Sequence, residues 1–199
     1  MIDQLHTILE DDRVILRPLE LAHEAELQVL AQDKDLWVYG LADLSQEGEM
    51  NNYIRKATQA REEGTCAVWT IIDKRTNMVA GCTRLAEISW KDERGQIGWT
   101  WIARKYQGSG LNKSMKFLIL QFGFESLKLN RIELKADERN VRSRRAIQGI
   151  GATEEGILRQ HMKIHDGYLR NTVFYSILKS EWEEIKKKRF DLQFLNQGA

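Results

Sequence analysis

The chain has 199 residues, of which 42% are hydrophobic and 30% charged, with a formal net charge of +1 at pH 7. These values predict one soluble globular domain with a sizeable core and disfavour a nucleic-acid partner, which would need a marked basic excess. The sequence contains no apolar run long enough to cross a bilayer and no basic-then-apolar start typical of a secretory signal. We therefore expect a cytoplasmic protein without membrane partners.

The first half of the chain predicts one strand, two helices and a group of three strands. The first strand alternates in hydropathy and is closed by the only proline, Pro18, and the second helix ends at Gly64. In chain order these elements are a strand at 13–17, helices at 20–31 and 46–63, and strands at 65–72, 78–89 and 94–103. Short polar links between the last three predict an antiparallel meander.

The second half alternates between helices and strands. After a glycine turn at 107–112, the elements are a helix at 113–127, a strand at 131–137, a helix at 140–150, strands at 155–162 and 169–178, and a helix from Ser180 to Lys188. Asp166 and Gly167 predict a hairpin between the last two strands. The order predicts a mixed α/β domain in three layers, with a mostly antiparallel sheet and helices on both faces.

The two cysteines, Cys66 and Cys82, each lie in apolar, strand-like sequence. Neither belongs to a C-x-x-C pair or a Cys/His cluster, so no metal site is expected. Buried free thiols in a reducing compartment are the simplest interpretation, because isolated apolar cysteines usually serve as small core residues.

The glycine turn at 107–112, with the sequence Gln-Gly-Ser-Gly-Leu-Asn, lies between an apolar strand and an amphipathic helix. A strand that enters a helix through such a turn leaves N–H groups unpaired at the positive end of the helix dipole. This arrangement predicts a phosphate or pyrophosphate ligand. The dinucleotide fingerprint would need a third glycine, and a Walker motif would need Lys-Ser/Thr directly after Gly110. A nucleotide-phosphate site of another kind stays open.

Two motifs resemble the GNAT superfamily of N-acetyltransferases, and most closely its branch of ribosomal-protein N-terminal acetyltransferases. The glycine turn is similar to the family's phosphate-binding motif, although Asn112 replaces a small residue. The segment 137–152 is similar to that branch in its Asn140, in Ser143 three residues later, and in the glycine that ends its helix, Gly151. The resemblance covers about 13–182, and implies one acetyltransferase domain across 1–199, acetyl-coenzyme A as donor and a primary amine as acceptor.

The resemblance also assigns residues to the donor. It implies that the turn binds the pyrophosphate and that the preceding strand pairs with the amide-rich pantetheine arm, leaving a backbone donor to polarise the thioester carbonyl. Asn140 orients pantetheine or the start of its helix. From its charge, Arg142 or Arg145 is a candidate contact for the 3′-phosphate, and the alternative is a solvated charged face of the helix. The donor-binding residues are then Trp101, Ile102, Ala103, Gln107, Gly108, Ser109, Gly110, Leu111, Asn112, Asn140 and Arg145.

Two residues are candidates for catalysis. Many family members place a tyrosine seven residues after the asparagine, and Ile147 holds that position here. Ser143 is therefore the candidate donor to the leaving thiolate. The alternative interpretation of Ser143 is an ordinary serine in the first turn of a helix. Glu87 is the candidate general base, and its alternative is a surface glutamate on an alternating strand.

The acceptor stays open among a protein N-terminus, a polyamine, an amino acid and an antibiotic. A coenzyme-A-binding module without catalysis is the alternative function. We also expect a homodimer, because dimers are common among soluble enzymes.

Overall fold

A computed structural model describes residues 2–190. Its centre is an eight-stranded sheet in the order β1-β2-β3-β4-β5-β6-β8-β7. All neighbouring strands are antiparallel except β5 and β6, which are parallel. The strands are β1 (Leu9–Glu10), β2 (Val14–Pro18), β3 (Ala67–Asp73), β4 (Met78–Ser89), β5 (Arg94–Ile102), β6 (Arg131–Asp137), β7 (Thr153–Lys163) and β8 (Leu169–Leu178). The predicted meander of β3, β4 and β5 is confirmed.

Helices cover both faces of the sheet. They are α1 (Glu24–Ala31), α2 (Glu49–Glu62), α3 (Leu111–Gln121), α4 (Val141–Gly149) and α5 (Lys179–Ile185). Apolar residues of α1 and α2, such as Leu27 and Ile54, share one buried cluster with Val68 of β3. Residues of the other three helices, such as Ile119 and Trp182, share a second cluster. The predicted three-layer α/β architecture is thus confirmed.

The ends of several elements differ from those predicted from the sequence. The second helix begins at Glu49 because Gly48 precedes it in a left-handed conformation, with φ at 78°. The predicted cap at Ser180 is wrong: Leu178 holds the cap position of α5, and its N–H donates to Glu181 Oε2 at 2.8 Å. The two-residue strand β1 was not predicted at all, since so short a strand leaves no periodicity.

Cys66 and Cys82 are buried free thiols, as expected. Burial raises the pKa of Cys66 to about 11 and that of Cys82 to about 12. Both side chains are therefore neutral core residues near pH 7. Among the helices within residues 2–190, none has both the length and the apolarity to cross a membrane.

The strands β4 and β5 approach closely at Gly81. Its φ is +151°, and a Cβ atom built there would lie 2.0 Å from the carbonyl oxygen of Trp101. Because the obstructing atom belongs to the backbone, a side chain at position 81 would have to push the two strands apart.

Candidate active site

The strands β5 and β6 diverge after a short parallel stretch. Residues 94–97 of β5 pair with 131–134 of β6, while β6 goes on pairing with β8 as far as Asp137. Beyond this fork, β5 keeps its pairing with β4 but has a free edge toward β6. An extended, amide-rich ligand can add to such an edge as a further strand.

A β-bulge marks the fork. Between Cys82 and Arg84 of β4, the strand β5 carries one extra residue, and Trp99 has a φ of 48°. The Trp99 carbonyl accepts a hydrogen bond from the Tyr53 hydroxyl at 3.3 Å, which attaches the bulge to α2. Bulges of this kind redirect the backbone and occur often beside active sites.

The glycine turn forms an open cradle at the other end of the free edge. Gly108 has a φ of 74°, and Gly110, the N-cap of α3, has a φ of 85°. A Cβ atom at either position would meet nothing within 4 Å. The N–H groups of residues 108–112 donate to no acceptor within residues 2–190. They lie before the first bond of α3, which the Lys113 N–H donates to the Gly110 carbonyl, so the helix offers them no acceptor. The turn therefore presents unpaired donors at a helix N-terminus, as an anion site requires.

Neighbouring side chains fix the cradle. Arg13 Nη2 donates to Ser109 Oγ at 3.0 Å, and Ser109 Oγ donates to the Tyr106 carbonyl at 2.7 Å. Arg13 also pairs with Asp73. Burial alone would raise the pKa of Asp73, but its hydrogen bonds, with Arg13 first, hold that pKa below the ordinary value. Sequence analysis could not single out Arg13, because its partners Asp73 and Ser109 lie 60 and 96 residues away along the chain.

Some of the strand residues assigned to donor binding already use their main-chain groups in hydrogen bonds within the protein. Gln107 Nε2 donates to the Ile102 carbonyl at 2.7 Å. Ala103 donates its N–H to Ala80 at 2.8 Å and accepts from Tyr106 at 2.9 Å. The Ile102 carbonyl and both main-chain groups of Ala103 are therefore used within the protein, so the N–H of Ile102 is the last main-chain group of this edge left for pantetheine.

The helix α4 lies beyond the end of β6, on the other side of the fork. Asn140 is its N-cap, as predicted, and Asn140 Oδ1 accepts from the Ser143 N–H at 3.0 Å. Ser143 is half-buried, and its hydroxyl makes no hydrogen bond within residues 2–190. Arg145 is exposed, whereas Arg144 bonds to the Tyr175 hydroxyl at 3.1 Å and so has a structural role.

Glu87 lies on β4, three residues after Arg84, whose pairing partner is Gly98 at the fork. Its φ is 51°, and its carboxylate lies 3.3 Å from Lys135 Nζ on β6. The side chain is 48% exposed. The carboxylate is thus ion-paired on the surface, and its role as a base stays a prediction.

A buried lysine that the sequence did not single out lies beneath β5. Lys116 of α3 is 7% exposed, and its Nζ donates to Thr100 Oγ1 at 3.1 Å. Thr100 Oγ1 is in turn 2.8 Å from Thr83 Oγ1. Burial lowers the pKa of Lys116 to about 7, because the interior disfavours the charged form.

Replacing this lysine should change how stability depends on pH. Between about 7 and 10.5 the unfolded chain binds a proton that native Lys116 does not, so the free energy of unfolding rises with pH there, by roughly 1 kcal/mol per unit. We expect Lys116→Met to be more stable than the native chain at pH 7 and to lose that advantage as the pH approaches 10. Urea unfolding at several pH values measures the difference. Lys56→Met, at an exposed position of α2, is the control, and an equal pH slope in all three proteins would contradict the expectation.

Comparisons with known proteins agree with this geometry. The family model described as Acetyltransferase (GNAT) domain matches residues 13–153. An uncharacterized N-acetyltransferase of Bacillus licheniformis, p20, is 29% identical over 178 residues, which cover 87% of this chain and 97% of p20. YdaF of Bacillus subtilis, which carries the provisional name of a ribosomal N-acetyltransferase, is 32% identical over 108 residues, 54% of this chain and 58% of YdaF.

The same likeness holds for the fold. The crystal structure of a GCN5-related N-acetyltransferase from Brucella melitensis superimposes with a TM-score of 0.83 at 27% identity, covering 92% of this chain and 83% of the other. The matched family region contains the fork, the glycine cradle and α4. The chain therefore belongs to the GNAT family of N-acetyltransferases, whose acetyl donor is acetyl-coenzyme A.

Proposed function

We propose that this chain transfers an acetyl group from acetyl-coenzyme A directly to a primary amine at the fork between β5 and β6. The observation that carries the proposal is the path along one segment of chain: the free edge of β5 runs from the bulge at Trp99 to Ile102, and residues 103–107 lead from there to the unpaired N–H groups of the glycine cradle. A pyrophosphate at one end and a thioester at the other match the two ends of this path.

Each part of the donor has a counterpart along the path. The N–H groups of residues 108–112 bind the pyrophosphate, and the pantetheine amides pair with residues 98–102. Arg145 or Arg142, both exposed on α4, binds the 3′-phosphate. The redirected backbone at the bulge leaves an N–H that polarises the thioester carbonyl.

The transfer needs two proton movements and no covalent enzyme intermediate. The amine nitrogen attacks the thioester carbonyl carbon, a C–N bond forms, and the C–S bond breaks. The nitrogen loses a proton to Glu87, directly or through water. The leaving thiolate accepts a hydrogen bond from the Ser143 hydroxyl, and solvent water supplies the proton that the sulfur gains. The Ser143 hydroxyl is suited to this role because it lies at the first turn of α4 with no other partner within residues 2–190.

Two measurements on the purified protein test the proposal. Calorimetry should detect binding of coenzyme A, and thiol release from acetyl-coenzyme A should depend on an added amine. Binding without turnover across a panel of peptides, amino acids and polyamines would favour the non-catalytic module instead. Competition by nucleotides but not by coenzyme A would contradict the donor site itself.

Replacing Ser143 with alanine should slow the chemical step. Loss of the hydrogen bond to the developing thiolate is expected to lower kcat by about 100-fold, while the KM for acetyl-coenzyme A stays nearly unchanged. Ser143→Thr, which keeps the hydroxyl, should retain most of the activity. Steady-state thiol release measures both variants. Equal kcat values for the alanine variant and the native chain would remove Ser143 from the mechanism.

Glu87→Gln should act on the pH profile. If Glu87 is the base, the glutamine variant loses activity at neutral pH by about 100-fold and recovers it as the pH approaches that of amine deprotonation. Lys135→Met removes the ion-pair partner and leaves the carboxylate of Glu87 in place, so it is the matched control and should retain the activity that depends on the carboxylate. An unchanged profile for Glu87→Gln would show that the ion pair is its sole role.

A further inference from the structure

A chain of hydrogen bonds connects α3 to the bulge of β5. Lys116 Nζ donates to Thr100 Oγ1 at 3.1 Å, and Thr100 Oγ1 donates to the Gly98 carbonyl at 3.3 Å. Thr83 Oγ1 of β4 lies 2.8 Å from the same hydroxyl. Both Lys116 and Thr83 are buried. The chain of bonds therefore ends at Gly98, the first residue of β5 beyond its pairing with β6.

The Thr100 hydroxyl has one proton, and its neighbours determine where that proton goes. The amine of Lys116 donates to the oxygen. Thr83 Oγ1 makes no other hydrogen bond within residues 2–190, so its own proton is available only to Thr100. A hydroxyl accepts two hydrogen bonds and donates one. With both acceptor positions filled, the proton of Thr100 goes to the Gly98 carbonyl.

The main-chain groups of Gly98 face β4. The Ala80 carbonyl of β4 accepts from the Ala103 N–H, so Arg84, four residues after Ala80, also directs its main-chain groups to β5. Arg84 is the partner of Gly98, and the Gly98 carbonyl therefore points to β4. A trans peptide directs its carbonyl and its N–H in opposite directions. The Trp99 N–H of the same peptide therefore points away from β4, toward the fork.

The next peptide of the bulge is held from the other side of the sheet. The Tyr53 hydroxyl of α2 donates to the Trp99 carbonyl at 3.3 Å, whereas Thr100 bonds to α3 through Lys116. Trp99 has a φ of 48°, a conformation that a bulky residue keeps only when its surroundings impose it. The groups that hold these two peptides therefore decide the direction of the Trp99 N–H.

Lys116 does not serve the stability of the fold. No charged group within the described part of the chain offsets its burial, and its amine makes one hydrogen bond there. A buried amine of this kind lowers the free energy of unfolding at neutral pH. Departures from stable packing are expected where a side chain serves function.

We propose that Lys116 is a positioning residue: through the Thr100 hydroxyl it holds the peptide between Gly98 and Trp99, so that the Trp99 N–H donates to the thioester carbonyl oxygen. This inference rests on the proposed function and names the side chains that direct the polarising N–H. The carbonyl oxygen gains negative charge in the transition state. A well-directed N–H therefore lowers the barrier more than it strengthens binding of the donor.

The first experiment removes and restores the hydroxyl at position 100, with an amine that the native chain acetylates. Thr100→Val keeps the shape and should lower kcat by about 10-fold, with an unchanged KM for acetyl-coenzyme A and an unchanged affinity for coenzyme A. Thr100→Ser keeps the hydroxyl and should retain kcat within about 3-fold. Thr65→Val, which removes an exposed hydroxyl bonded to the Ala60 carbonyl at 3.0 Å, is the matched control.

Two results of this experiment would overturn the inference. Equal kcat values for folded Thr100→Val and Thr100→Ser would show that the hydroxyl has no role in the reaction. A higher KM for acetyl-coenzyme A with an unchanged kcat would show that the residue shapes the donor site and does not direct an N–H in the transition state.

The second experiment tests whether Lys116 acts through Thr100. Lys116→Met should lower kcat by about 10-fold at pH 7, where the variant is expected to be more stable than the native chain, so lost folding cannot explain the effect. The double variant with Thr100→Val should also lose about 10-fold in total, because both changes release the same peptide. Lys56→Met, at an exposed position of α2, is the control. A native kcat for Lys116→Met, or a loss of about 100-fold in the double variant, would overturn the route through Thr100.

Failure of the inference can be distinguished from failure of the proposed function. If the native chain acetylates an amine and the variants keep its kcat, the positioning role is wrong and the proposed function stands. If coenzyme A binds to the native chain but no amine of the panel releases thiol, the proposed function is wrong and the inference falls with it.

Discussion

Gly110→Asp should weaken the binding of coenzyme A by about 100-fold relative to Gly110→Asn. The two variants have the same shape, and asparagine and aspartate both tolerate the left-handed conformation that Gly110 adopts. They differ in a negative charge placed at the N-cap of α3, where the cradle binds the pyrophosphate. At a few ångströms, near a protein surface, such repulsion reaches several kcal/mol before salt screens it.

Isothermal titration calorimetry at two ionic strengths measures this difference. The gap between the two variants should shrink as salt is added, because the repulsion is partly screened. Similar affinities for the aspartate and asparagine variants would place the pyrophosphate elsewhere and would remove the basis of the proposed donor site.

Among the glycines of the sheet, Gly81 should be the one whose replacement by alanine lowers the free energy of unfolding most. The new methyl group would meet the Trp101 carbonyl oxygen at 2.0 Å, between two central strands, and the residue would be left at a φ of +151°. We expect a loss of about 3–5 kcal/mol in the free energy of unfolding, from separated strands and backbone strain together.

Gly149→Ala is the matched control for Gly81. A Cβ atom at Gly149, the last residue of α4, meets nothing within 4 Å, so this change should be neutral or stabilising by up to about 1 kcal/mol. Urea unfolding followed by circular dichroism compares the two proteins. A Gly81→Ala protein as stable as the native chain would show that β4 and β5 can separate there at little cost.

Local signals were sufficient to predict most of the fold. The meander of β3, β4 and β5 follows from alternation and short polar links, and α4 follows from its Asn140 cap. The ends of elements were harder to predict where a backbone conformation determines them, as the left-handed Gly48 does for the start of α2. The N-cap of α5 was misplaced because Leu178 occupies the cap position and donates its N–H to the Glu181 carboxylate, whereas side-chain preference favours serine.

The candidate site also has parts that could be predicted from the sequence and parts that could not. The glycine cradle could be predicted because its chemistry lies in consecutive residues. The contacts of Arg13 and Lys116 could not be predicted, because each depends on a partner that is distant along the chain. The extra residue that displaces Trp99 is equally invisible in a single sequence, since a bulge is defined only against its partner strand.

The strand β7 forms one edge of the sheet and is exposed at every position except Met162. A long bare edge of this kind is a template on which a foreign chain can add a strand, and repeated addition leads to aggregation. Two register shifts interrupt the pairing of β7 with β8, and Gln160 adopts a φ of 47°. These irregularities, together with charged residues such as Arg159, keep the edge from being flat, so they protect the protein against open-ended growth of its sheet into fibrils.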